Sequence, residues 1–249
     1  MDSFTRNERN AYLGETGRKR EEFCKEFIAK KQAIFTEFKA SQAKTAAENG
    51  ETISCGKGCT NCCQAYMQAS VAECEAIVYY LYHHKEARDA FLASYPAWRQ
   101  KLAEHGDIFK ECGECWQDKE KTGGNETARA ALIESEKRYL SQGLICPFTV
   151  DGACSIYEVR PFTCAALVAT TPPERCLPGS SESAKMYVSH HPAIFDTSFY
   201  YNKLDNVMLA FMPLTVYNIL EGGYGFLSNI PGLEGLEEAA APDGPTSEE

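Results

Sequence analysis

The chain is short of positive charge: 25 lysines and arginines stand against 35 aspartates and glutamates, a net charge of -10. Binding phosphate backbones needs clustered Lys and Arg, so nucleic acid is excluded as the expected partner. No stretch approaches the roughly 20 apolar residues of a membrane-spanning helix, so no membrane partner is expected. The opening MDSFTRNERNAYLGETGRKREEF is charged throughout and lacks the apolar core of a secretion signal. The expectation is therefore a cytoplasmic protein. Missing too are an internal repeat and a Gly-rich strand-to-helix fingerprint for a nucleotide cofactor. Gly222-Gly223-Tyr224-Gly225 follows a helical stretch and reads as a helix stop.

What the chain has in plenty is cysteine, 12 in 249 residues. A reducing compartment keeps thiols free, so cysteine clusters there are read as metal or redox sites rather than disulfides. With 44% hydrophobic residues and 11% aromatics, a core can form without depending wholly on metal.

Eight cysteines fall into two sets of four. Cys55, Cys59, Cys62 and Cys63 lie in CGKGCTNCC, and Cys146, Cys154, Cys164 and Cys176 follow downstream. Four thiolates complete the shell of one tetrahedral zinc or one cubane iron–sulfur cluster. The first spacing is compact enough for three thiolates to converge from one loop. Gly56 and Gly58 let that loop fold tightly and aim N–H groups at sulfur. The second set has gaps of 7, 9 and 11 residues, so tertiary structure must gather it. Cys62 and Cys63 are adjacent, and neighbours in an extended segment face opposite ways. They serve two centres, or Cys63 is a buried non-ligand. Cys112 and Cys115 read as a loop pair able to add ligands or act as a dithiol. Cys24 and Cys74 fall in helices and read as core. His190 and His191 precede Pro192 in a loop and are further candidate ligands. Arg160 either offsets thiolate charge or pairs with Glu158.

The pattern predicts a mainly α fold with a small β-hairpin, a helical domain organised around a cysteine-rich metal centre. Phe23, Phe27, Ile34 and Phe38 form one stripe of a helix over 18–48, stopped at Asn49-Gly50. Ser70 to Glu73 reads as a capping box. Pro96 marks a break or a new first turn near Tyr95, with a second helical stretch through Trp98 and Leu102. Residues 111–124 read as a polar loop, and 126–141 as a helix capped by Asn125. Asp151-Gly152 marks a hairpin turn between Phe148 and Ile156. A C-terminal helix is expected over Tyr201–Leu220, kinked at Pro213, then a disordered acidic tail. The expected organisation is an N-terminal helix (1–48), a cysteine-cluster domain (49–180), its helical extension (181–233) and the tail (234–249).

CGKGCTNCC together with CPFTVDGACSIYEVRPFTC resembles the CxxCxxCC family of zinc- or iron-chelating proteins, also called YkgJ-type cysteine-cluster proteins. The likeness spans about residues 55–176. It implies that the eight cysteines are the chelators. That family includes relatives of flagellin lysine N-methylase, which implies transfer of a methyl group from SAM to protein lysines. Ala165 follows Cys164 where the family often has arginine, so any role of that arginine does not carry over. All-thiolate ligation is compatible with both metals; the expectation is an iron–sulfur cluster, ahead of zinc, or both, held through the two four-cysteine sets. The expected function is metal binding. The alternatives are a SAM-dependent protein-lysine methyltransferase or cluster-dependent oxidoreductase, and a zinc-stapled module that binds a protein partner. Cys55-x3-Cys59-x2-Cys62 also matches radical-SAM spacing, but no succession of β/α units accompanies it.

Overall fold

The computed structural model describes residues 2–189 and 209–229. Helices dominate, joined by three two-stranded antiparallel sheets. A short helix α1 (Ser3–Asn10) leads into the long α2 (Gly14–Glu48). As expected, α2 buries Phe27, Ile34 and Phe38, with Phe23 half-buried against the same cluster. It ends at Asn49-Gly50, where Gly50 takes φ +69°.

Strand β1 (Gln68–Ser70) runs straight into α3 (Val71–His83). The capping box is present: the Glu73 N–H donates to Ser70 Oγ at 3.1 Å, and the Ser70 N–H donates to the Glu73 carboxylate at 2.9 Å. Helix α4 (Lys85–Glu104) follows. Pro96 was expected to break it, yet lies inside it. Phe91, Tyr95, Trp98 and Leu102 form one buried stripe through that point, which outweighs the backbone bond a proline forfeits.

The expected loop at 111–124 is instead most of helix α5 (Gly106–Lys121), which packs on α6 (Glu126–Leu140). Asn125 caps α6 through Ala128 N–H at 2.8 Å. The hairpin is found as β2 (Thr149–Val150) and β3 (Ala153–Cys154). Asp151 and Gly152 both have positive φ, 48° and 75°, as a tight two-residue turn requires.

Next come a 3-10 turn (Tyr157–Val159), helix α7 (Phe162–Ala166) and strand β4 (Leu167–Ala169). A second 3-10 turn (Pro173–Cys176) precedes β5 (Met186–Val188), which pairs with β4. The C-terminal helix differs from expectation. Residues 201–208 lie outside the described residues, as do the tail at 234–249 and His190 and His191. Leu209–Phe211 is strand β6, paired with β1, and Pro213 sits in the first turn of α8 (Met212–Gly222) rather than kinking it. Proline suits that position because a first-turn N–H has no helical acceptor. Gly223, at φ +55°, ends α8 before α9 (Tyr224–Leu227).

The main core gathers α3, α4 and α8 around Ile77, Leu81, Phe91, Phe148 and Val216. A second cluster lies between α2, the start of α3 and α7. Two buried ion pairs join α2 to α3. Lys31 is 1% exposed, with its ammonium 3.0 Å from Glu73, and the Arg20 Nε donates to Glu75 at 2.7 Å. Helix α2 thus lies against the part of the chain that carries the cysteines.

Candidate metal centre

The first cysteine loop is a run of tight turns. Cys59 N–H donates to Gly56 C=O at 3.1 Å and Cys63 N–H to Thr60 C=O at 2.9 Å. Gly58 has φ +96°, a conformation open chiefly to glycine. Residues 61–64 form a turn rather than an extended strand. Cys62 and Cys63 therefore do not face opposite ways: both line one cavity.

That cavity, of about 390 Å³, is lined by seven of the eight cysteines, Cys55, Cys59, Cys62, Cys63, Cys146, Cys154 and Cys164. Cys176 stands outside the lining, on the second 3-10 turn, its thiol raised first by burial and then by Cys55, Cys62 and Cys59. Among the described lining residues there is no Asp, Glu or His; the charged ones are Lys39 and Arg160. All twelve cysteines are free thiols.

Helix α7 delivers Cys164 and is gripped at both ends. At its start, Phe162 N–H donates to the Glu73 carboxylate at 2.7 Å. At its end, the Gln42 amide donates to the carbonyls of Ala165 and Ala166 at 3.2 and 3.1 Å. Those partners satisfy groups that a one-turn helix leaves orphaned. Behind them Lys31 donates to Val159 C=O at 3.2 Å and lies over the Phe162 ring at 5.1 Å.

Backbone N–H groups point at several sulfurs. Ala169 N–H donates to Cys55 Sγ at 3.1 Å. Phe148 N–H serves Cys146 and Ile156 N–H serves Cys154, each from two residues downstream. Such donors stabilise thiolate. Arg160 does the same by charge for Cys62, Cys154 and Cys164. Its guanidinium stacks on Tyr157 at 3.7 Å and donates to Tyr157 C=O at 2.9 Å. Glu158 pairs with Lys57 instead, at 3.3 Å.

Against those donors, crowding keeps the thiols protonated. Burial pushes Cys146 and Cys164 well above the ordinary thiol range, and neighbouring thiols push them further. Cys62 is raised first by its hydrogen bond to the Cys63 thiol, then by burial. A bound cation reverses that balance, because it stabilises several thiolates at once.

Among the described residues, no three His, Cys, Asp or Glu side chains form a ready-made shell for a metal ion. The donor chemistry nonetheless suits a thiophilic centre: thiols, N–H groups aimed at sulfur, one guanidinium and no competing carboxylate.

Cys112 and Cys115 are not loop residues and do not line the cavity. Cys112 is buried in α5, its thiol donating to Ser135 C=O at 3.2 Å. Cys24 and Cys74 are core, as expected. One neighbour was not foreseen: the Cys164 thiol contacts Met67 Sδ at 3.2 Å, and Met67 lines the cavity. A lone methionine before a strand carries no sequence signal.

No protein-family model, curated protein or solved structure matches the chain.

Proposed function

We propose that this chain is a metal-binding cysteine-cluster protein that holds an iron–sulfur cluster, ahead of zinc, through its eight clustered cysteines. The observation that carries this reading is one carboxylate-free cavity lined by seven thiols. Residues from two distant parts of the sequence share it, and nothing in hydrophobic packing alone calls for that convergence. Free cysteine is a small apolar residue that usually packs into cores, as Cys24 and Cys74 do.

The seven thiols come from one loop, a hairpin and a short helix, and all open onto the same cavity. The N–H donors to Cys55, Cys146 and Cys154 also suit a cluster, since hydrogen bonds to cluster sulfurs tune its potential. A reducing cytoplasm would keep the twelve thiols free for the metal.

The test is anaerobic purification followed by assay of iron, sulfide and zinc per chain, with a visible spectrum. Iron and sulfide in equal amounts with a brown colour support the cluster. Colourless protein with stoichiometric zinc moves the reading to a zinc-stapled module. Protein that takes up neither metal overturns it.

A further inference from the structure

The sequence divides the eight cysteines into an upstream four and a downstream four, but hydrogen bonds lace the chain together differently. The outer half of the first loop is tied to the segment that ends in Cys176. Ser54 N–H donates to Ala169 C=O at 2.9 Å and Ser54 Oγ to Thr171 C=O at 2.6 Å. Ala169 N–H returns a bond to Cys55 Sγ, and the Asn61 amide donates to Pro173 C=O at 2.7 Å. The inner end of the loop is tied elsewhere. Cys146 N–H donates to Cys63 C=O at 2.7 Å, Cys146 C=O accepts from Thr149 N–H at 2.9 Å, and Thr149 pairs with Cys154 across the hairpin, so Cys146 and Cys154 reach the cavity that Cys164 also lines.

Cys62 lies on the turn between these two ties: Asn61, just before it, is bonded to Pro173, and Cys63, just after it, is bonded to Cys146. The adjacent pair therefore stands at the junction.

We propose that the cysteines form two neighbouring four-thiol metal sites whose membership crosses the sequence order. Cys55, Cys59 and Cys176 belong to an outer site, and Cys146, Cys154 and Cys164 to an inner one. Cys62 and Cys63 give one thiol to each. This grouping rests on the metal-binding reading above. Each site has the four thiolates that a thiophilic divalent ion or a cubane cluster takes. Their adjacency is a consequence of the CC dipeptide, which joins the sites through a single peptide bond.

Cadmium is a suitable probe, because it fills thiolate sites whether iron or zinc is the natural occupant. The full chain is loaded anaerobically with Cd(II) and followed by cadmium NMR. The wild type should give two all-thiolate resonances. Cys55→Ser and Cys176→Ser should perturb the same one, while Cys154→Ser and Cys164→Ser perturb the other. Cys62→Ser and Cys63→Ser should each chiefly affect a different one. Circular dichroism of every variant, and two variants per site, separate ligand loss from misfolding. If Cys176→Ser strikes the resonance that Cys154→Ser strikes, the grouping is wrong. A single resonance, lost in members of both groups, also overturns it. A wild type that binds no cadmium overturns the metal reading itself.

Discussion

The backbone N–H of Cys146 donates to the carbonyl of Cys63 at 2.7 Å, so the two cysteine runs meet through main chain as well as through side chains. This bond needs no metal. It holds the inner end of the first loop against the hairpin and leaves the thiols as the part that must still adjust.

Among the described residues Arg160 is the one guanidinium on the cavity, stacked on Tyr157. Arg160→Gln removes a positive charge beside Cys62, Cys154 and Cys164. Reduction adds negative charge, which this cation favours, so the midpoint potential of a bound cluster should fall by an amount on the order of tens of millivolts. Redox titration reads the shift. Unchanged potential in a fully loaded variant would assign Arg160 to packing alone.

Metal affinity should rise with pH. Cys62, Cys146 and Cys164 are held protonated at neutral pH, while ligation requires thiolate. Each four-thiolate site therefore releases up to about four protons on loading, and apparent affinity falls as pH falls. Calorimetry in two buffers of different ionisation enthalpy counts the protons released. A proton count near zero would mean that the thiols are not the ligands.

Lys31→Met strands the Glu73 carboxylate in the interior, where the ammonium now sits 3.0 Å away. Removing one partner of a buried pair costs about 3–5 kcal/mol. The double variant Lys31→Met, Glu73→Gln should recover part of that loss. Urea unfolding of metal-free protein measures both. A single variant as stable as wild type would show that the pair is not coupled as described.

Glu51 accepts hydrogen bonds from Tyr187 and Thr170, each at 2.8 Å, and pairs with Lys185. The Lys185, Tyr187 and Thr170 contacts lower its carboxyl to about 2. A carboxyl lowered in the folded state lends stability above its unfolded value, lost as pH falls toward about 2. Protection of the β4 and β5 amides, taken relative to the intrinsic exchange rate at each pH, should therefore fall between roughly pH 4.5 and 2. In Glu51→Gln that protection should already be reduced at neutral pH and lose the dependence.

Local chemistry was legible where it was complete within a few residues. The Ser70–Glu73 capping box, the Asn125 cap, the Asp151-Gly152 turn and the stop at Asn49-Gly50 each carry their own partners in sequence. Helix α5 was hidden because it buries a narrow stripe through Cys112 while charged residues cover the rest of GDIFKECGECWQDKEK, and its packing on α6 is long-range. Strand β6 was invisible because its partner, β1, is far away in the chain. Lys31 and Arg20 sit in register with the Phe27, Ile34 and Phe38 stripe, and nothing local marks them as buried ion-pair partners. They lie eleven residues apart, about three helical turns, and meet Glu73 and Glu75 on a single element. At the site the thiols were legible as a set, but their neighbours, Met67 and the Gln42 amide, depend on tertiary contacts that no spacing announces.

Among the described residues the cavity lining holds no carboxylate, although the chain carries 35 acidic residues. Hard cations such as magnesium and calcium bind through oxygen, whereas polarisable ions prefer sulfur. On the metal-binding reading proposed above, such a wall would discriminate by hardness, offering alkaline-earth ions almost no anionic oxygen.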